Sequence, residues 1–581
     1  MIPPLQGLPD EILYIILCHC HPCSTVSLEQ TARRFSTITR EPLLWRFYCQ
    51  SHFKFWDSRH DIDEKLNCPA SSIDWKELFI ARYHIDRETT QVLNSILANQ
   101  TGRIRKFHTI TSFGYDAKDT LLTHIHSESE EEDYLARRYY AQALLSCLHR
   151  STAIPEWSRL RNGEDVSLEQ ALGAFDLFLP ESGFDDLKQI TSNLDDIVTQ
   201  FQRAYPDVRY FTPRQKALSL ALYLRISNLT GIDPGRDYHR LDHNFLGIAL
   251  TDPGHNSLPL ISAAIYCYVA QCVGLKAHPC GFPFHVHVIL RPPPGIDMDG
   301  NLLDEGDIGD PMYMDPFRSD KETPASDLQR QLSFLGASSN EQSVFLQESL
   351  PSEIILRCGR NILNSIHHNS EAPDLHLATV DLVSAKYSAL WASILLANEP
   401  RSIVLRDYLP WLMEVFATDF TCDLYLIEQY IVPLFQDMPE YEHILDSLHV
   451  MRTVDERSKQ IHQRSEEHNN VNYRVGQVFR HRRYNYRAII IGWDSECGAD
   501  EQWMRQMGID RLQAGRHQSF YHALVEDKTF RYVAEENIEI ITPHVTDLPQ
   551  LLVSAAGKYF KRWDQTTRTF ISNIKDEYPD D

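Results

Sequence analysis

Between Gly254 and Phe317 the chain places Ser257-Leu258-Pro259 before an apolar run, then Gly281-Phe282-Pro283-Phe284-His285-Val286-His287, then Tyr313-Met314-Asp315-Pro316-Phe317. A histidine on one strand and an aspartate on the next can serve as a general base and the carboxylate that orients it. Acyl transfer built in this order needs a thiol in the first turn of the preceding helix, where free N–H groups and the positive dipole end favour the thiolate. Ser257, Leu258 and Pro259 occupy that turn instead. Cys267 and Cys272 come too late in the helix to share the effect and are expected in the core; Cys280, five residues before His285, tends to the opposite strand face. That leaves Ser257, with His285 and Asp315, as the one arrangement to test for attack, and the commoner task of a serine there is to cap the helix. The expectation is a catalytic frame without a working nucleophile, and hence a binding or scaffold module.

The elements that must position these groups are readable. Pro259 suits the first turn of a helix, and Gly274-Leu275 closes it. In the alternation Phe-Pro-Phe-His-Val-His-Val, His285 and His287 share one strand face while Val286 and Val288 take the other. This order is that of papain- and transglutaminase-like folds. The segment resembles the SirB-type transglutaminase-like family through Pro259, Ser262, Gly274, Leu275, Phe282, Pro283, His285, Asp315, Pro316 and Phe317. Its flanks, Ser167-Leu168-Glu169-Gln170-Ala171-Leu172 and Ile354 to Leu363, extend the likeness, and we set the domain with its flanking helices at 167–448. A Pro-, Gly- and Asp-rich insertion from Pro292 to Pro311 departs from the family pattern and loosens the inference that Asp315 orients His285.

The chain has 581 residues, 43% hydrophobic and 10% aromatic, enough for several folded domains with full cores. With 80 acidic against 56 basic residues its formal charge is -24, so nucleic acid is not the default partner. Twelve cysteines lie without framework spacing, and neither a secretory signal nor a membrane-spanning run is expected, which points to a reducing compartment, cytoplasm or nucleus. No cofactor motif and no metal-ligand spacing stands out. Cys18, His19, Cys20, His21 and Cys23 invite a zinc reading, but no second ligand pair follows at a suitable spacing.

Residues 1–57 carry Leu8-Pro9-Asp10-Glu11-Ile12-Leu13, then Ala32-Arg33-Arg34-Phe35-Ser36-Thr37-Ile38, then Glu41-Pro42-Leu43-Leu44-Trp45-Arg46. Ile12, Leu13, Ile16, Leu17 and Cys20 recur at helical spacing. The three segments resemble an F-box. That resemblance implies that Leu8, Pro9, Ile12, Leu13 and Leu17 pack on the Skp adaptor of a Skp–cullin–F-box ubiquitin ligase, a small helical module completing its core on its partner.

Residues 58–166 read as a helical connector, with helices over Trp75–Tyr83, Thr89–Ala98 and Leu135–Leu148 and an acidic loop from His126 to Asp133. Glu322 to Ser352 reads as a Ser/Gln-rich loop, and 449–470 as a charged helix running into a linker that ends Glu466-Glu467-His468-Asn469-Asn470. Over 471–545 the period becomes strand-like, predicting a small antiparallel β-barrel, with a short helix and acidic tail over 546–581. This module is similar to the YccV or HspQ family, sometimes called hemimethylated-DNA-binding. Arg480, His481, Arg482, Arg483 and Arg487, interleaved with Tyr484 and Tyr486, are its candidate nucleic-acid or partner contacts, roughly balanced by Glu526, Asp527, Glu535 and Glu536.

The fold class expected is therefore multidomain α+β: a helical F-box, a mostly helical middle with a transglutaminase-like α+β core, and a C-terminal barrel. This order of domains resembles the F-box-only proteins that end in a YccV-like domain. The resemblance implies a substrate receptor that brings an unknown protein to a Skp adaptor and cullin scaffold, without catalysis of its own. An acyl-transfer or hydrolytic enzyme and a DNA-binding regulator are the rival expectations.

Overall fold

The structure is a computed structural model that describes residues 5–129, 131–180, 186–233, 238–304, 307, 309–370, 380–397, 403–464 and 471–581. The linker's end, Glu466 to Asn470, lies outside the described residues. Two compact units form: Met1–Leu148 together with His449–Asp581, and His149–Leu448.

In the first unit, Pro9 in extended backbone precedes helix Asp10–Cys18, whose first turn carries Asp10 and Glu11 at the positive dipole end. The helix stops at Cys18, so Cys20 lies beyond it. Helices Pro22–Glu29, Arg33–Ile38 and Pro42–His52 follow, and Leu13, Leu17, Leu44, Trp45 and Tyr48 form a shared core. Tyr48 donates its hydroxyl to the Leu17 carbonyl at 2.6 Å, and Trp45 Nε1 donates to the Thr39 carbonyl at 2.7 Å, so both buried polar tips are satisfied. Trp75 and Phe79, from the 24-residue helix Trp75–Ala98, complete this core. The F-box core is thus closed by helix Trp75–Ala98, and the two helices expected around Trp75 and Thr89 are one.

The C-terminal part contains strands β5 (Val478–His481), β6 (Arg487–Asp494), β7 (Phe520–Val525), β8 (Phe530–Ala534) and β9 (Ile538–Ile541). They form a five-stranded antiparallel sheet in the order β8-β7-β6-β5-β9. Among the described residues no ladder joins β8 to β9. The tail expected as helix and acidic end instead carries helix Gln550–Ala556 followed by a hairpin, β10 (Phe560–Asp564) and β11 (Thr569–Ser572). Lys561 and Arg562 are therefore strand residues, and Phe560, Trp563 and Phe570 are buried in the module's core. Asp581 at the end accepts from Trp493 Nε1 at 2.9 Å and pairs with Arg464 at 2.8 Å.

The second unit is mainly helical. Helix Pro259–Cys272 is buried along almost its whole length and packs on strands β1 (Lys276–Cys280) and β2 (His287–Arg291), as a helix apolar all round must. With β3 (Met312–Met314) and β4 (Glu322–Thr323) these make an antiparallel sheet in chain order. The expected loop from Glu322 to Ser352 is mostly helical, as Ala325–Phe334 and Ser339–Phe345. Leu328 and Leu332 are buried one turn apart, and Ser338 with Glu341 forms a capping box.

Candidate functional site

Three residues before β2 the backbone makes a tight reversal. Phe284 has φ +64°, the His285 N–H donates to the Pro283 carbonyl at 2.8 Å, and the Phe284 side chain is 85% exposed. A left-handed phenylalanine at the centre of such a turn costs on the order of 1–3 kcal/mol. The turn carries His285 out of the strand in which it was expected; β2 begins at His287. Even so, His285 Nε2 lies 2.9 Å from Asp315 Oδ2, with both side chains buried, and the imidazole ring sits 5.8 Å from Phe317.

The insertion from Pro292 to Pro311 leaves this pairing intact. It is the connection between two neighbouring antiparallel strands, and it closes on itself through an Ile296–Leu302 bridge. Val288 stays opposite Met314, so one step further along both strands brings His287 opposite Asp315. His285 and His287 rings stand 4.9 Å apart, edge to face. Burial alone would raise the Asp315 pKa, but the hydrogen bond and charge of His285 hold it below the ordinary value. Burial drives His287 down to about 4, so it is neutral at pH 7. Two groups beside the cluster carried no sequence signal. Tyr238, raised by burial and by the Asp315 charge, stacks edge-on to Phe317 at 6.1 Å, and half-buried Arg357 donates to the Phe282 carbonyl at 2.7 Å.

Ser257 is not brought to this pair. It is fully buried, its hydroxyl 2.7 Å from that of Ser262, and its N–H donates to the Gly231 carbonyl at 2.8 Å. Nor does it cap the helix, whose N-cap is Leu258 with no side-chain cap. Cys267 is buried with its thiol pushed far up by desolvation. Cys280 is buried too, its thiol raised by desolvation to about 11 and donated to the Phe345 carbonyl at 3.2 Å. A base and its carboxylate are therefore in place, and among the described residues no nucleophile is hydrogen-bonded to the imidazole.

On the F-box the structure redistributes the adaptor candidates. Leu13 and Leu17 are 1% and 3% exposed and belong to the module's own core, so neither offers a contact surface. Ile12, Ile15 and Ile16 lie outward on the same helix, with Pro9 exposed just before it and Leu8 half-buried. Leu43 and Phe47, one turn apart on the adjacent helix Pro42–His52, are exposed as well. Arg34 fixes the approach to the first helix by bonding the Leu8 carbonyl and Asp10.

The basic candidates of the C-terminal module are mostly occupied. Arg480 pairs with Glu539 at 3.0 Å and Arg487 with Glu526 at 3.1 Å, while Arg482 donates to the Ile538 carbonyl at 3.1 Å. His481 is buried, and its Nδ1 accepts the N–H groups of Arg483 and Tyr484, which makes it a turn cap rather than a surface contact. Arg483 lies over the exposed Tyr484 ring. On another face, a groove of about 470 Å³ is lined in part by Asp494, His522, Tyr532 and Glu577, with Tyr532 donating to Asp494 at 2.6 Å.

Comparison with known proteins follows the same three parts. Residues 5–51 match the F-box-like family, residues 188–360 the Transglutaminase-like superfamily, and residues 471–567 the family described as Hemimethylated DNA-binding protein YccV like. The chain is similar to "F-box only protein 21" of Homo sapiens, 24% identical over 622 residues that cover 99% of this chain and 92% of that protein. The Mus musculus protein of the same name is also 24% identical, with the same coverage. No solved structure matches the chain. Among the described residues no helix is long and apolar enough to cross a membrane.

Proposed function

We propose that this chain, which carries F-box-like, transglutaminase-like and YccV-like domains in that order, is the substrate-recognition subunit of a Skp–cullin–F-box ubiquitin ligase. The observation that carries the reading is the apolar face formed by Ile12, Ile15, Ile16, Leu43 and Phe47, left exposed on two helices whose opposite faces build the core. Exposed apolar patches of this kind mark protein contacts, and a helix pair completing its burial in a partner's groove is the recognition mode an F-box resemblance implies. The partners are a Skp adaptor, through it a cullin scaffold, and a protein substrate held by the other two domains. The receptor works in cytoplasm or nucleus, where its free thiols stay reduced. Co-purification from cells tests this: the chain should bring down adaptor and cullin together, and Ile12→Asp/Ile16→Asp should lose both while keeping substrate proteins.

A second reading, acyl transfer, has the His285–Asp315 pair in its favour. A serine-directed fluorophosphonate probe decides it. Labelling of Ser257 that His285→Ala removes would support an enzyme; the buried Ser257–Ser262 contact leads us to expect none. For a DNA-binding regulator, the carboxylate partners of Arg480 and Arg487 weaken the phosphate-neutralising term.

A further inference from the structure

The cluster around Asp315 holds one more donor than a His–Asp pair needs. We propose that His285, His287 and Asp315 form a binding site for a divalent transition-metal ion, zinc foremost.

One ligand atom from each of the three residues lies within 4.8 Å of the others, and all three residues are buried. The separation of 2.9 Å between His285 Nε2 and Asp315 Oδ2 is that of a hydrogen bond, and opening it to about 3.3–3.4 Å would seat both donors about 2.0–2.1 Å from one tetrahedral ion. The ion takes the place of the proton shared by these atoms; that proton moves to His285 Nδ1, which has no hydrogen-bond partner among the described residues, and the imidazole stays neutral.

The third donor is set by its backbone contact. His287 Nδ1 lies 3.3 Å from the His285 carbonyl. A carbonyl only accepts, so Nδ1 carries the hydrogen and Nε2 is left bare. An imidazole whose second nitrogen is pinned to a backbone carbonyl is the usual setting of a metal ligand, because the pin fixes both tautomer and ring orientation. Nε2 has no hydrogen-bond partner among the described residues, although His287 is 5% exposed.

A structural role for the histidines explains the His285–Asp315 bond, but it does not explain why a second imidazole brings a ligand atom within 4.8 Å of the same carboxylate. Two imidazoles and a carboxylate suit zinc and its first-row neighbours, and three protein ligands leave a fourth position for water or a donor atom of a bound partner.

The test uses the full chain, stripped with chelator and titrated with cobalt(II) and then zinc. One equivalent of cobalt should bind with the visible spectrum of a nitrogen and oxygen site and be displaced by zinc. His287→Gln and Asp315→Asn should each weaken zinc by at least about 100-fold, whereas His255→Gln, an imidazole outside the cluster, should not. Zinc-edge X-ray absorption on the unmutated chain serves even if a variant misfolds, and should show two imidazoles with oxygen donors. Thiolate ligation, unchanged binding in both cluster variants, or no bound equivalent in the unmutated chain would overturn the proposal.

Discussion

Asp176 shows how much a single buried group can shape this molecule. It is fully buried, accepts the Ile248 N–H through Oδ1, and among the described residues has no hydrogen-bond partner for Oδ2. Desolvation lifts its pKa from 3.8 to about 7. The folded state therefore binds more protons than the unfolded one between those values, so stability falls as pH rises from about 4 to about 7. Asp176→Asn should flatten that slope and raise the melting temperature of the second unit most at pH 8, by the equivalent of a few kcal/mol. Differential scanning calorimetry from pH 5 to 8 checks it. On the F-box, Leu13→Ala removes a core side chain and should cost about 2–5 kcal/mol, seen as faster amide exchange across Asp10–Cys18. Ile12→Ala should leave that exchange unchanged. The sequence marked Ile12 and Leu13 alike, because a helix apolar around most of its circumference does not say which face its own neighbours cover. His285 and Asp315 were easier to find: each stands just outside a short strand and next to or near a proline, and local pattern suffices for that. What pattern did not show is the left-handed Phe284 that takes His285 out of the strand.

Among the elements, those with clean periodicity were legible and those defined by long-range pairing were not. The five strands of the C-terminal sheet, from Val478 to Ile541, all lie within 471–545, where the period becomes strand-like. The β10–β11 hairpin was hidden because lysine and arginine interrupt its apolar alternation, and only its packing on the module's core declares it. Gly476 shows how close that packing is. It has φ +91°, accepts the Phe570 N–H at 2.9 Å, and a Cβ there would stand 2.0 Å from the Phe570 carbonyl oxygen. Gly476→Ala should destabilise the module by more than about 2 kcal/mol and release protection in Thr569–Ser572 first, measured by hydrogen exchange.

At the scale of the whole chain, the linear sequence of domains conceals a discontinuous unit. Met1–Leu148 and His449–Asp581 fold together, although the sequence reads as three domains in file. Asp455 makes part of the joint: its carboxylate oxygens accept the N–H groups of Arg103 and Ile104 at 3.2 and 3.1 Å and cap helix Arg103–Ser112, which has only Gly102 before it. A cap supplied from so far along the chain has no local signature. Asp455→Ala should cost about 0.5–2 kcal/mol and raise exchange in that first turn without disturbing the C-terminal sheet. The F-box sits within this same unit, its core closed by Trp75 and Phe79, so it is presented by a folded body and not by a loose arm. The outward isoleucines Ile12, Ile15 and Ile16 are the proposed adaptor contact. Titration calorimetry of the purified chain with a Skp adaptor tests it most directly. The unmutated chain should bind, and Ile12→Asp/Ile16→Asp should bind at least about 100-fold more weakly with an unchanged circular dichroism spectrum. Equal affinity in the two correctly folded proteins, or no binding by the unmutated chain, would contradict it.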